Sequence, residues 1–155
     1  MNLIKTIDQY NEDCVYFCEP IKNTIMNEGN FIRIIYSNSL FMLNGIYLSV
    51  HIDKMTIEKY YNKFKCRFDL NDYKHVIEQL RIIEDGLLNK IDIKDKLPQK
   101  NIYDQFRSGQ LKISYEPNDL SEQIAIVTNN TFLLKISGIW ETDFHYGLTF
   151  KLIKV

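Results

Sequence analysis

Polar and apolar residues alternate along several stretches of the chain, most regularly between Phe41 and Ile52. There Ile46, Leu48, Val50 and Ile52 share one face while Tyr47, Ser49 and His51 share the other, as in a strand with one face in a core. Phe31 to Tyr36 is a β-rich run, entered through the turn signal Glu28-Gly29-Asn30 and left through Ser37-Asn38-Ser39. Tyr60 to Phe68 reads as a third strand. Tyr60, Phe64, Cys66 and Phe68 fall on one side of it, and Tyr61, Lys63, Lys65 and Arg67 on the other. Thr131 to Val155 reads as two closing strands joined by Glu141-Thr142-Asp143, with Gly138 marking a kink or bulge. Leu111 to Tyr115 and Ile124 to Val127 are shorter strands separated by the turn Glu116-Pro117-Asn118-Asp119, and Cys14 to Cys18 is an apolar run closed by Pro20.

Between the third and fourth strands the period changes. Val76, Leu80, Ile83, Leu87 and Leu88 recur at helical spacing after the capping residues of Asp69-Leu70-Asn71-Asp72, so about 71–90 is predicted as one long amphipathic helix. Glu78, Glu84 and Asp85 would form its solvated face. Asn101 to Arg107 fits a short helix ended by Gly109, residues 91–100 a connector, and residues 1–12 a frayed start. The order predicts a mainly β (α+β) fold: a single OB-like small barrel over 1–155, with the long helix between the third and fourth strands. A generic α+β sheet fits the same order.

Charge changes this picture only locally. Nineteen Lys and Arg against twenty Asp and Glu leave a net charge of −1, so no whole-molecule positive field draws in nucleic acid. Yet Lys54, Lys59, Lys63, Lys65 and Arg67 crowd one segment against the single acid Glu58. Three cysteines, with no disulfide framework, point to a reducing intracellular compartment, and no signal-peptide-like or membrane-spanning apolar run is present.

Catalytic motifs are missing: no GxSxG, GxxxxGK[ST], GxGxxG or HExxH occurs, and His51, His75 and His145 lie far apart. No catalytic residue, metal or cofactor is therefore assigned. Cys14 with Cys18, and Asp143 with His145, are the nearest approaches to ligand spacing. Two buried thiols and a solvated turn account for them. A nuclease would need clustered carboxylates that no strand end supplies.

The positive chemistry lies opposite the apolar parity of the strands. Arg33, Lys63, Lys65, Arg67, Lys112, Lys135 and Lys151 are placed to meet phosphates, with Tyr47, Tyr61 and Trp140 as rings on which bases stack. The same cations also suit an ordinary solvent face that resists edge pairing, and Trp140 also suits packing across a barrel end.

Four segments resemble small single-stranded-DNA-binding proteins of large nucleocytoplasmic DNA viruses. They are FIRIIYSNSLFMLNGIYLSV (31–50), KYYNKFKCRFD (59–69), KLPQKNIYDQFRSGQLKI (96–113) and LKISGIWETDFHYGLTFKLIKV (134–155). The resemblance implies an OB-fold that coats single-stranded DNA, or RNA, during viral replication, recombination or repair. It also implies replication proteins or further copies of the chain as partners, at a viral replication site or in the host cytoplasm. Phage-type members of that broad group end in an acidic tail. This sequence ends in Lys154-Val155, which leaves tail-mediated recruitment without support. The competing reading is a viral structural or protein-interaction module that binds no nucleic acid.

Overall fold

The computed structural model describes residues 3–23, 25, 28–60, 63–113 and 124–155, and at 59, 60, 63, 124 and 125 the backbone alone. Strands β1 (Lys5–Thr6), β2 (Val15–Phe17), β3 (Ile21–Lys22), β4 (Asn30–Ser37), β5 (Met42–Asn44), β6 (Ile46–Tyr60) and β7 (Lys63–Arg67) come first. Helix α1 (Lys74–Lys90), strand β8 (Leu97–Gln99), helix α2 (Asn101–Arg107) and strands β9 (Gln110–Ile113), β10 (Ile124–Glu141) and β11 (His145–Lys154) follow. The chain is mainly β, as its alternation predicts.

Two long strands form the spine. β6 and β10 pair antiparallel from Glu58↔Ile124 to Ile46↔Ile136. β11 returns along the other edge of β10 after the reversal at Thr142-Asp143-Phe144, β7 lies on the free edge of β6, and β9 on β7. The ladder order is β9-β7-β6-β10-β11. At the predicted kink, β10 carries a bulge between Ile136 and Gly138 and exchanges β6 for β4 as its neighbour, pairing Gly138 with Arg33. An extra residue increases local twist, which lets one strand serve two partners. β2, β3 and β5 extend the sheet around β4, and β1 and β8 add short parallel pairings to β6 and β11.

Among the described residues no ladder closes this sheet. β9 comes near β11 without pairing to it, and α1 and α2 pack against β11 there. The closed OB-like barrel expected from element order is therefore not formed by these ladders. The long helix follows β7, the seventh strand rather than the third, and β4 and β6 share no ladder; each pairs with β10 instead.

One apolar core lies inside the curl. Ile46, Leu48, Val50 and Ile52 all face it, with Phe132, Leu134 and Ile136 opposite them. A one-residue slip would turn the four β6 side chains outward, at a cost on the order of 6–12 kcal/mol. Beyond Ile52 the parity flips. Lys54 pairs with Thr128 and Ile52 with Asn130, so Asp53 and Asn129 drop out of the register, and Asn129 takes φ +55°. Met55 and Ile57 then face the core.

Several boundaries differ from the sequence reading. The strand expected over Tyr60–Phe68 is split: Tyr60 ends β6, which runs on past Ile52, and β7 begins at Lys63. Phe41–Ile52 is broken before Gly45, where φ is +107°. Ile124–Val127 is no separate strand but the start of β10. The expected frayed start holds β1 and two 3-10 turns. Cys14 and Cys18 flank strand β2, and both are half-buried rather than buried. Ser114, Tyr115 and the turn at 116–119 lie outside the described residues.

Glu84 is the largest departure on the helix. It is fully buried, not solvated. Its two carboxylate oxygens accept the backbone N–H groups of Ile102 at 2.9 Å and Tyr103 at 2.8 Å, the otherwise unsatisfied donors at the start of α2.

Candidate nucleic-acid interface

Three of the predicted residues meet in one cross-strand row. Lys135 on β10 stands between Tyr47 on β6 and Lys151 on β11. All three lie on the outer face, since their neighbours Leu48, Leu134, Ile136 and Leu152 are buried. The Lys135 ammonium sits 5.5 Å from the centroid of the Tyr47 ring, and the Tyr47 hydroxyl donates to the Asn44 carbonyl at 3.4 Å.

Beyond the bulge the same face continues. Gly138 lies between Arg33 and Thr149, and Trp140 between Phe31 and Gly147. Both glycines are needed for these rings. A Cβ at 138 would collide with the Ile32 carbonyl oxygen and stand 2.6 Å from the Phe31 ring; one at 147 would stand 2.9 Å from the Trp140 indole. Trp140 thus lies with one side against Gly147, and its ring also borders a cleft of about 550 Å³. Lys22, Phe31, Arg33, Ser137 and Thr149 line that cleft as well.

Electrostatically this end is open to anions. Among the described residues Lys22, Arg33 and Lys151 have no carboxylate in ion-pair reach. The nearby acid Glu141 is engaged by Asn30 and by Lys96, each at 3.0 Å. The Asn30 amide foremost, then Lys96, holds its carboxyl below the usual carboxylate range. Gly147 and Lys151 are four residues apart on β11, so the Trp140 and Lys135 rows lie about 13 Å apart.

The remaining predicted residues lie elsewhere. Lys65 pairs across to Glu58 and Lys112, and Arg67 to Thr56 and Gln110, at the far end of the β6–β10 ribbon. Arg67 leans on Glu58 at 3.4 Å, beside a pocket bordered by Asp53, Asp69 and Asp72. Tyr61 lies outside the described residues, as does the side chain of Lys63. Of the ten, Arg33, Tyr47, Lys135, Trp140 and Lys151 share one surface, and Lys65, Arg67 and Lys112 form a second.

Sequence reasoning missed Lys22, Phe31 and Thr149. Phe31 shares the parity of Arg33, which could have placed it outward; Lys22 follows Pro20 in a stretch without periodicity, and nothing there signals it. Among the described residues no three His, Cys, Asp or Glu side chains group as metal ligands, and no helix is long and apolar enough to cross a membrane. No family model matches the chain, and no curated protein or solved structure matches it either.

Proposed function

We propose that the chain is a non-enzymatic, sequence-tolerant binder of single-stranded DNA that uses the outer face around the β10 bulge. The observation that carries this is the placement of Lys135 between Tyr47 and Lys151, with Arg33 and Trp140 in the adjoining rows. Cations from three strands, Arg33, Lys135 and Lys151, converge beside two rings, which is the mixture that holds a single strand: charge follows the phosphates and ring faces take the bases. In the free protein Lys135 covers Tyr47. A bound strand would draw that ammonium onto a phosphate and free the ring for a base. Stacking contributes about 1–3 kcal/mol per base, and the phosphate contacts make affinity fall with salt.

The reading does not depend on a closed OB-like barrel, because an open curled sheet presents the same rows. The resemblance of the four segments to viral single-stranded-DNA-binding proteins supports it, and on that resemblance the binding would serve viral replication, recombination or repair. A protein-interaction module is the second reading. The net charge of −1 and the exposed Ile21 and Ile25 beside the cleft favour it. Anisotropy of a labelled oligo-dT across a salt series separates them. Salt-dependent binding that weakens in R33E/K135E/K151E supports the first; no binding at low salt, with a protein partner captured after nuclease treatment, supports the second.

A further inference from the structure

We infer that a bound single strand extends beyond the bulge, diagonally along the outer face of β6 and β10, to a second anchor at Lys65 and Lys112. This rests on the single-strand reading above and adds to it a path and a length. The two cationic rows lie on opposite flanks of one ribbon. Lys151 belongs to β11, on the β10 side, and Lys65 and Lys112 belong to β7 and β9, on the β6 side. Tyr47 and Glu58 stand eleven residues apart on β6, so the rows are about 35 Å apart along it.

Between them the outer face is suited to a passing backbone. Ser49 and His51 are outward on β6, with the His51 ring nitrogen 3.3 Å from the Thr131 hydroxyl, and Lys54 follows opposite Thr128. Asp53 is the one carboxylate in that interval of β6, and it falls where the register is interrupted. At the far row Lys65 and Lys112 are adjacent, and among the described residues neither has a carboxylate in ion-pair reach. Glu58 is drawn to Arg67 instead. Arg67 is accordingly the weaker contact, held by one acid and flanked by others.

The test compares labelled dT5 with dT12, lengths chosen within the roughly 4–16 nucleotides that small single-strand-binding modules cover. Extra binding registers on dT12 raise its apparent affinity but do not steepen its salt dependence, so the slope is the readout. Two further phosphate contacts steepen the log–log slope for dT12 by about 1.4 relative to dT5. K65E/K112E, and the neutral K65Q/K112Q, bring the dT12 slope back to that of dT5, with unchanged far-UV circular dichroism reporting an intact fold. Equal slopes for the two lengths in the wild type, or a dT12 slope indifferent to both double variants, overturn the path while leaving the bulge site standing. Failure of both lengths to bind the wild type overturns the single-strand reading itself.

Discussion

The carboxylate of Glu84 accepts the backbone N–H of Tyr103 at 2.8 Å, across a sequence separation of 19 from α1 to the first turn of α2. With the matching bond to Ile102 it docks α2 onto the long helix, and α2 in turn lies against β9 and β11 where the sheet stays open. Removing the acceptor leaves two buried donors unpaired, so Glu84→Ala is expected to destabilise the fold by about 3 kcal/mol, and Glu84→Gln by about 1 kcal/mol. Urea unfolding followed by circular dichroism measures both.

The acidity of Glu84 gives a second outcome. Burial foremost pushes its carboxyl up, and the bonds from Tyr103 and Ile102 only partly offset this. A raised folded value means a contribution fully present below the ordinary carboxyl value and lost as pH rises through the folded one. The stability advantage of wild type over Glu84→Gln is therefore expected to shrink as pH rises above the ordinary carboxyl value. Glu141 behaves oppositely. Its carboxyl is lowered, so its contribution is present above the ordinary value and lost as pH falls through the folded one. Glu141→Gln should cost stability near neutrality and flatten the acid limb of the profile, and denaturant midpoints across pH read both signs.

Gly138 and Gly147 report on the bulge. At 138 the obstacle is the Ile32 carbonyl, backbone that cannot swing aside. Gly138→Ala is expected to destabilise by about 2 kcal/mol, as overpacking does. At 147 the nearest atoms include the Trp140 ring, so Gly147→Ala should lift the indole and shift its emission. Trp140 is the only tryptophan, so one spectrum reads that displacement.

Cys66 faces the core from β7, and burial pushes its thiol up to about 11, with Lys154 opposing. The thiolate is the reactive form. Alkylation of the native protein at neutral pH is expected to spare Cys66, which becomes labelled only on unfolding; peptide mass mapping decides it.

What was legible in the chain was what depends on near neighbours. Alternation placed Ile46 to Ile52 inward, Gly138 marked the bulge, helical spacing placed α1, and the same parity put Arg33, Tyr47 and Lys135 on the outer face. The pairing of strands was not legible, because β10 meets both β6 and β4 through contacts distant in sequence. Parity beyond Ile52 was lost because Asp53 and Asn129 drop out together, and composition does not announce a two-sided interruption. Glu84 read as solvated because its partners are backbone donors of a separate helix, invisible to a helical wheel. Lys65 and Lys112 looked continuous with Lys135 in character, although about 35 Å of strand separates their rows.

The most direct measurement is Trp140 emission while unlabelled oligo-dT is titrated at low and then at high salt. A strand seated around the bulge places bases against the indole beside Arg33, so the expected result is quenching that saturates at low salt and is reversed by added salt. Arg33, Lys135 and Lys151 reversed together should abolish it without altering the emission of the free protein. Unquenched emission at low salt, or quenching that ignores both salt and that triple variant, would contradict the account.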